Sequence, residues 1–376
     1  MQPSIVGLFL LLPTVVLTFT LLPCEIPNET TAGYCMTPNV CRAYQQLKSG
    51  ALAAARETKE FLRRLTSSCS GQAICCTVKQ AYLNPRIQVL PPADDSSNLI
   101  TNCGMEATRE HIIGGEITDI DEFPWLALLF YHSKETDQIT PSCGGVLISK
   151  RWVLTAAHCI TGRGYRNTGP LKFVRLGEHN LDTEVDCDRN RDCADRPVDL
   201  AVDKIIPHPD YVSTSWDKYN DLALLKLSKD APHTDFIRHI CLPSYYNITQ
   251  TETVRKYVAA GWGLTDIYEN IDNVPSKIKL KVSLPHIEHS RCQTVYGNFS
   301  IRVADSQICA GGRKAQDTCR GDSGSPLMYF SQPHERWFAY GIVSRGPSSC
   351  GTEGVPSIYT SMFEFDDWVS STMKAN

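Results

Sequence analysis

The chain has 376 residues, and its 37 lysines and arginines against 41 aspartates and glutamates leave a formal charge of −4 at pH 7. That length admits one small and one large domain, and the near-balanced charge argues against a nucleic-acid partner. An apolar fraction of 42% and a charged fraction of 21% are ordinary for a globular protein.

Residues 1–23 read as a cleaved signal peptide. Residues 5–22 are almost wholly apolar, with Leu10, Leu11 and Leu12 near the centre and Pro13 interrupting the run. The stretch is long for a signal core, has no basic side chain before it and shows no Ala-x-Ala exit. An uncleaved anchor of about 20 apolar residues is the alternative. Pro13, Pro23 and the cysteine at 24 favour cleavage near residues 20–23, so a secreted, extracellular protein with no membrane partner is expected. The 16 cysteines, an even number, then imply an oxidising compartment and a set of disulfides. Metal binding fits them poorly, because no Cys-x-x-Cys pair occurs and no histidines lie near them at zinc-ligand spacing. Asn28, Asn247 and Asn298 each open a triplet that accepts N-glycans, which fits export.

Within residues 24–76 lies a first cysteine set: Cys24, Cys35, Cys41, Cys69, Cys75 and Cys76. Between its third and fourth members, residues 44–65 predict a helix with Leu47, Leu52, Phe61, Leu62 and Leu65 on its buried side. A unit of about 50 residues buries little core, so bridges worth about 2–4 kcal/mol each would supply much of its stability. Residues 77–111, with Pro91-Pro92, Asp94-Asp95 and Ser96-Ser97, read as an exposed linker and activation segment. From 112 to 376 the pattern changes to short apolar runs between turn residues, such as Gly145-Val146-Leu147-Ile148 and Tyr340-Gly341-Ile342-Val343. That spacing predicts an all-β barrel or sandwich. Residues 363–373 predict a closing surface helix.

Three short runs carry the chemistry: Thr155-Ala156-Ala157-His158-Cys159, Asp221-Leu222-Ala223-Leu224-Leu225 and Gly321-Asp322-Ser323-Gly324-Ser325-Pro326. A serine hydroxyl is a poor nucleophile at neutral pH unless a base takes its proton as it attacks. A histidine can do so when a buried carboxylate fixes its tautomer. The order His158, Asp221, Ser323 is that of the chymotrypsin template rather than of subtilisin or the α/β-hydrolases. Taken alone, Asp221 could equally be a turn carboxylate after Asn220.

With Ile112-Ile113-Gly114-Gly115 and Gly261-Trp262-Gly263 in order around these runs, residues 112–376 resemble the chymotrypsin-like, trypsin-type serine proteases. The six-cysteine segment before them, with its adjacent Cys75-Cys76, resembles the clip domain of arthropod extracellular proteases. The resemblance implies two six-stranded antiparallel β-barrels with a small disulfide-rich clip domain ahead of them. It also implies the pairings Cys24–Cys75, Cys35–Cys69, Cys41–Cys76, Cys143–Cys159, Cys292–Cys309 and Cys319–Cys350. Cys187 and Cys193 remain as a local pair, and Cys103 is left to join Cys241, so no cysteine stays over.

By the same resemblance His158 is the general base, Asp221 its orienting carboxylate and Ser323 the nucleophile, with the amides of Gly321 and Ser323 as the oxyanion hole. Asp317, six residues before the nucleophile, falls at the base of the pocket that would take a substrate Arg or Lys, the alternative being a loop acid in Lys314-Ala315-Gln316-Asp317. Ser344 and Gly346 fall on the segment that pairs with substrate backbone. There are departures. Ser357 stands where a pocket glycine is usual, Ser325 replaces a second glycine after the nucleophile, and Arg345 replaces an aromatic at the pocket rim, with Arg320 at its mouth. Those substitutions imply a narrowed pocket, and cations that disfavour basic residues near the cut and favour acidic ones.

The resemblance also implies a zymogen, in which cleavage between His111 and Ile112 frees an ammonium that folds in to pair with Asp322. His111 is not the Arg or Lys that a trypsin-like activator would need. Glu178, Asn180, Asp186 and Asp188 match the start of a loop that holds structural calcium in related proteases, the alternative being a solvated acidic loop. No cofactor is implied for catalysis. Clip-domain proteases work in cascades that activate prophenoloxidase, clotting proteins or the Toll-ligand precursor. The expected partners are therefore downstream zymogens or a cytokine precursor, an upstream activating protease and serpin-type inhibitors. The rival readings are a non-catalytic homologue acting as a cascade cofactor, and a protease anchored by an uncleaved leader.

Overall fold

The computed structural model describes residues 23–24, 33–36, 74–76, 103–106, 116–188, 191–246, 248, 254–264 and 274–376. The expected signal segment, the helix expected over 44–65, Asn28, Asn247, His111 and Ile112 lie outside the described residues. The chain divides into two units, Met1–Asp95 and Ser96–Asn376.

In the first unit, β1 (Pro23–Cys24), β2 (Gly33–Met36) and β3 (Ile74–Cys76) form an antiparallel sheet in that order. Cys35 stands opposite Cys75, which is buried and disulfide-bonded. The other cysteine side chains of this unit lie outside the described residues, and its three expected pairings with them.

The second unit begins its sheets with β4 (Glu116–Ile117), β5 (Leu126–His132), β6 (Ile139–Ser149) and β7 (Trp152–Thr155). There follow α1 (Gly162–Thr168), β8 (Leu171–Leu176), β9 (Val198–Leu200), β10 (Val202–Pro207) and β11 (Ala223–Leu227). The last part contains β12 (Lys256–Gly261), β13 (Leu280–Ile287), α2 (His289–Gly297), β14 (Gln307–Gly311), β15 (Pro326–Ser331), β16 (Arg336–Arg345), β17 (Pro356–Ser361) and α3 (Met362–Ala375). The expected terminal helix is therefore present and slightly longer than its apolar pattern.

Strand order in the first sheet is β10-β11-β7-β6-β5-β8-β9. β9 and β10 are one strand kinked at Ala201: Leu200 pairs with Val174 on β8, and Ile205 pairs with Leu225 on β11. The seven segments thus close a six-stranded barrel. The second sheet, β12-β15-β16-β17-β14-β13-β4, closes in the same way because β13 also pairs with β12 from Lys256↔Pro285 to Gly261↔Leu280, leaving β4 outside the ring. Period-two alternation is plain only where one face meets water. On β8, Val174 and Leu176 are buried while Phe173 and Arg175, which point the other way, are only half-buried. β5 instead buries six consecutive residues, from Leu126 to Tyr131, because both of its faces are covered. Trp125 is wholly buried and its indole N–H meets Met328 Sδ on β15 at 3.0 Å, which ties one barrel to the other.

Five disulfides link described residues: Cys103–Cys241, Cys143–Cys159, Cys187–Cys193, Cys292–Cys309 and Cys319–Cys350. Residues 103–106 are bound by more than the bridge. Gly104 N–H donates to His239 O at 2.8 Å, Trp337 N–H to Gly104 O at 2.9 Å, and Glu106 accepts from Phe123 N–H and the Trp337 indole. Gly104 has φ +64°, and a Cβ there would lie 2.2 Å from Trp337 O, so only glycine fits.

Under the loop before β5, Lys281 Nζ reaches both oxygens of Glu122 at 2.7 and 2.9 Å, with the two side chains 7% and 8% exposed. Removing one partner of such a pair strands the other charge in a dry site, which typically costs about 3–5 kcal/mol. Glu122→Ala is expected to lower the denaturation midpoint by that much, whereas replacing the exposed Glu353 is expected to leave it nearly unchanged. Urea unfolding followed by tryptophan fluorescence measures both.

Candidate active site

Asp221 enters β11 from Asn220, whose φ of +57° turns the chain inward, and it ends fully buried. Its Oδ1 accepts His158 N–H at 2.9 Å, and its Oδ2 meets His158 Nδ1 at 2.7 Å and accepts the Ser344 hydroxyl at 2.6 Å. Burial alone would raise this carboxyl. The His158 charge and hydrogen bond and the Ser344 hydroxyl outweigh burial and hold it below the usual range. An ionised acceptor on Nδ1 keeps a proton there and leaves Nε2 of His158 as the free ring nitrogen. The imidazole stays 20% exposed, open to the cleft.

Ser323 is set beside this pair by backbone geometry. Its carbonyl accepts Gly144 N–H at 2.8 Å and lies 3.6 Å from Sγ of Cys159, the residue after His158. Gly324 has φ +83°, and a Cβ there would strike Thr155 Oγ1 at 2.2 Å and Gly144 O at 2.5 Å. The serine loop can therefore press against the end of β7, just before the turn that carries His158, only because residue 324 is glycine. Ser325, a departure noted in the sequence, fits because Gly144 faces it: a Cβ on Gly144 would lie 2.0 Å from the Ser325 hydroxyl. No hydrogen bond joins the Ser323 hydroxyl to the His158 ring among the described residues. Likewise no described group accepts from the amides of Gly321 (φ +102°) or Ser323, so both donors remain open to a ligand.

Two further acids line a cavity of about 310 Å³, together with Gly261, Gly263, Cys319 and Ile117. Asp322 accepts Gly263 N–H and Cys319 N–H, each at 2.9 Å, and burial pushes its carboxyl up to about 6. A Cβ at Gly261 or Gly263 would sit 2.3 Å from that carboxylate, which explains why glycines flank Trp262. Asp317 accepts the Ser357 hydroxyl at 2.7 Å and Thr318 N–H at 2.9 Å on Oδ1, while its Oδ2 is buried without a partner. Burial pushes Asp317 up to about 7. Ser357 therefore both narrows this pocket and binds its acid, and Gly346 beside it has no room for a side chain, since a Cβ would lie 2.7 Å from Ser357 Oγ.

The four oxygen-bearing residues expected to hold calcium do not converge. Glu178 accepts its neighbour His179 N–H and pairs with Arg175 at 3.3 Å, and Asp186 accepts Asn180 N–H at 3.0 Å and the Thr183 hydroxyl. Asn180 Oδ1 accepts Asp182 N–H, and Asp188 Oδ1 accepts Asp192 N–H. A guanidinium already beside Glu178 and amides on the other oxygens do not fit a hard dication that needs six or more free oxygens. Among the described residues the one metal-like grouping is Cys143, His158 and Cys159, and its two sulfurs are joined as a disulfide. Asn298 is exposed on the turn after α2.

Sequence reasoning placed Ser344 on the substrate face but missed its hydrogen bond to Asp221, which only the pairing of β16 beside β17 reveals. It also missed the close approach of Gly261 and Gly263 to Asp322, although the Gly-Trp-Gly run was its visible signal.

A cation entering the pocket must bind the ionised form of Asp317. The affinity for benzamidine, a rigid cation that probes this acid, is therefore expected to rise about tenfold from pH 6 to pH 8, as the ionised fraction of Asp317 climbs through a value near 7. Calorimetry should show proton release on binding at pH 6, and a flat affinity would remove Asp317 from the pocket floor.

The family model described as Trypsin matches residues 112–369. CLIP domain-containing serine protease B8 of Anopheles gambiae is 39% identical over 92% of this chain and 89% of its own length. Phenoloxidase-activating factor 1 of Holotrichia diomphalia is 36% identical over 93% of each. The crystal structure of the Drosophila Grass clip serine protease of the Toll pathway superposes with a TM-score of 0.62 at 29% identity, covering 95% of this chain and 99% of that one.

Proposed function

Since the chain belongs to the trypsin family of clip domain-containing serine proteases, we propose that it is a catalytically competent endopeptidase made as a zymogen. The observation that carries this reading is the buried Asp221 carboxylate, held by His158 and Ser344 at the mouth of the cleft where Ser323 sits. Ser323 Oγ attacks the scissile carbonyl while Nε2 of His158 takes its proton. The imidazolium is stabilised by Asp221 and then gives the proton to the departing amine; water repeats the sequence to free the acid. The carbonyl oxygen gathers negative charge against the amides of Gly321 and Ser323, whose loss typically costs about 10²–10³ in turnover per donor. Asp317 pairs with an Arg or Lys before the cut, its empty Oδ2 taking the second donor of a guanidinium.

Activation follows from Asp322. Cleavage between His111 and Ile112 frees an ammonium, and the cavity shared by Asp322 and Ile117 is where it would pair with the carboxylate. With no cation beside Asp322 among the described residues, the uncut chain has a buried acid that an ammonium would satisfy. The named activity of the phenoloxidase-activating relative and the Toll-pathway neighbour support a place in a proteolytic cascade. Its partners would be an upstream protease, a downstream zymogen or cytokine precursor, and serpin-type inhibitors. Secretion and glycans on Asn28, Asn247 and Asn298 belong to the same reading. Calcium does not.

The second reading, a non-catalytic homologue, rests on the Ser323 hydroxyl lacking a bond to His158. A fluorophosphonate probe separates the two. Protein processed at Ile112 should label while the uncut chain does not, and Ser323→Ala should abolish labelling and reduce turnover by about 10⁶. A processed protein that stays unlabelled supports the homologue. Trypsin treatment examines the activation site: cutting after Arg109 instead of His111 should leave an N-terminus two residues too long and little activity. Efficient activation with Ile112 first would show that His111 does not exclude a trypsin-like activator.

A further inference from the structure

Beyond the pocket that Asp317 closes, two cations stand on one flank of the catalytic centre. Arg345 ends β16 directly after Ser344, whose hydroxyl binds Asp221. Lys218 lies three residues before Asp221 on the loop that delivers it. One guanidinium nitrogen of Arg345 donates to the carbonyl of Trp216, so the side chain is drawn across the cleft rim toward that loop; its Nε is buried without a partner. Lys218 Nζ donates to the Tyr211 hydroxyl at 3.0 Å, a neutral acceptor. No carboxylate forms an ion pair with either cation among the described residues. Asp221 attracts Lys218 but spends its hydrogen bonds on His158 and Ser344, and Asp217 Oδ1 accepts Arg302 N–H at 2.9 Å. Gln307 Nε2 also holds the carbonyls of Asp217 and Lys218, at 3.0 and 3.3 Å, so the loop is pinned to β14.

The segment between Ser344 and Gly346 has one end on Asp221 and the other on Ser357 of the pocket. A substrate whose cut-site residue fills that pocket must bring the chain before it along this segment, past Arg345 and Lys218. We propose that Lys218 and Arg345 form a subsite for an acidic side chain lying one to three residues before the residue that enters the Asp317 pocket. The inference rests on the peptidase reading and names the substrate class it selects. Two half-buried cations that feel each other's charge disfavour a third positive charge and favour an aspartate or glutamate. Sequence alone pointed to Arg345 and Arg320; the fold adds Lys218, 127 positions before Arg345 in the chain.

Protein processed at Ile112 is assayed on coumarin amides ending in arginine, with Glu, Ala or Lys at each of the three preceding positions. Wild type is expected to cleave the best Glu peptide about tenfold faster in kcat/KM than its Ala counterpart, and the Lys peptide more slowly still. Raising sodium chloride from 50 to 500 mM should compress that range, because partly exposed charges are screened. In Lys218→Gln/Arg345→Gln the Glu-to-Ala ratio should fall to within twofold. Equal cleavage of Glu and Ala peptides by wild type, preference for Lys, or a ratio unchanged in the double variant each overturns the subsite. Fluorophosphonate labelling runs in parallel: a protein that labels yet shows no acidic preference loses the subsite and keeps the peptidase reading, and one that neither labels nor cleaves loses both.

Discussion

A carboxylate with no access to water is the constraint from which the rest of the second unit follows. Asp221 can remain charged there only while every strong donor around it stays in place, since an isolated buried charge is far more costly than a paired one. Those donors come from opposite sides: His158 from the turn that follows β7, and Ser344 from the far end of β16. Thr360 on β17 donates to the Asp221 carbonyl at 3.0 Å as well. The two barrels therefore cannot slide past each other without uncovering this group. The Trp125–Met328 contact deeper in the core holds the same relative placement by packing.

The three acids of the cleft are graded in how well the fold satisfies them, and the grading sorts their roles. Asp221 is saturated by donors and is held below the ordinary range. Asp322 has two amides, one on each oxygen, and is pushed up to about 6. Asp317 keeps one oxygen bare and is pushed up to about 7. A folded chain leaves a buried carboxylate short of partners where an incoming cation supplies the remainder. In this reading one cation is the new end of the chain itself and the other belongs to the substrate. Their closeness in one cavity explains why ordering the first would prepare the second.

Much of this was legible in the amino-acid order because the motifs are short and local. The runs around His158, Asp221 and Ser323 each span a few residues, and the apolar strand pattern announced the β architecture. What escaped lies in pairings that no local run encodes. Ser344 touches Asp221 only because the end of β16 meets the turn that leads into β11, and Lys218 nears Arg345 only because the loop before Asp221 folds onto the second barrel. The kink at Ala201, which lets seven segments close as six strands, leaves no mark that a turn would not leave too. In the acidic loop the residue types favoured a cation, but the arginine at 175 lies on β8, outside the run that suggested one.

The lock on residues 103–106 changes what cleavage means for the molecule. A nick after His111 would break the backbone, yet Cys103 stays joined to Cys241, 138 positions away, and Gly104 and Glu106 stay bonded to Trp337. The product of such a nick would be one two-chain particle rather than two diffusing fragments. Dilution would then have no purchase on it, and the two pieces would stay at a ratio of one to one for the lifetime of the bridge.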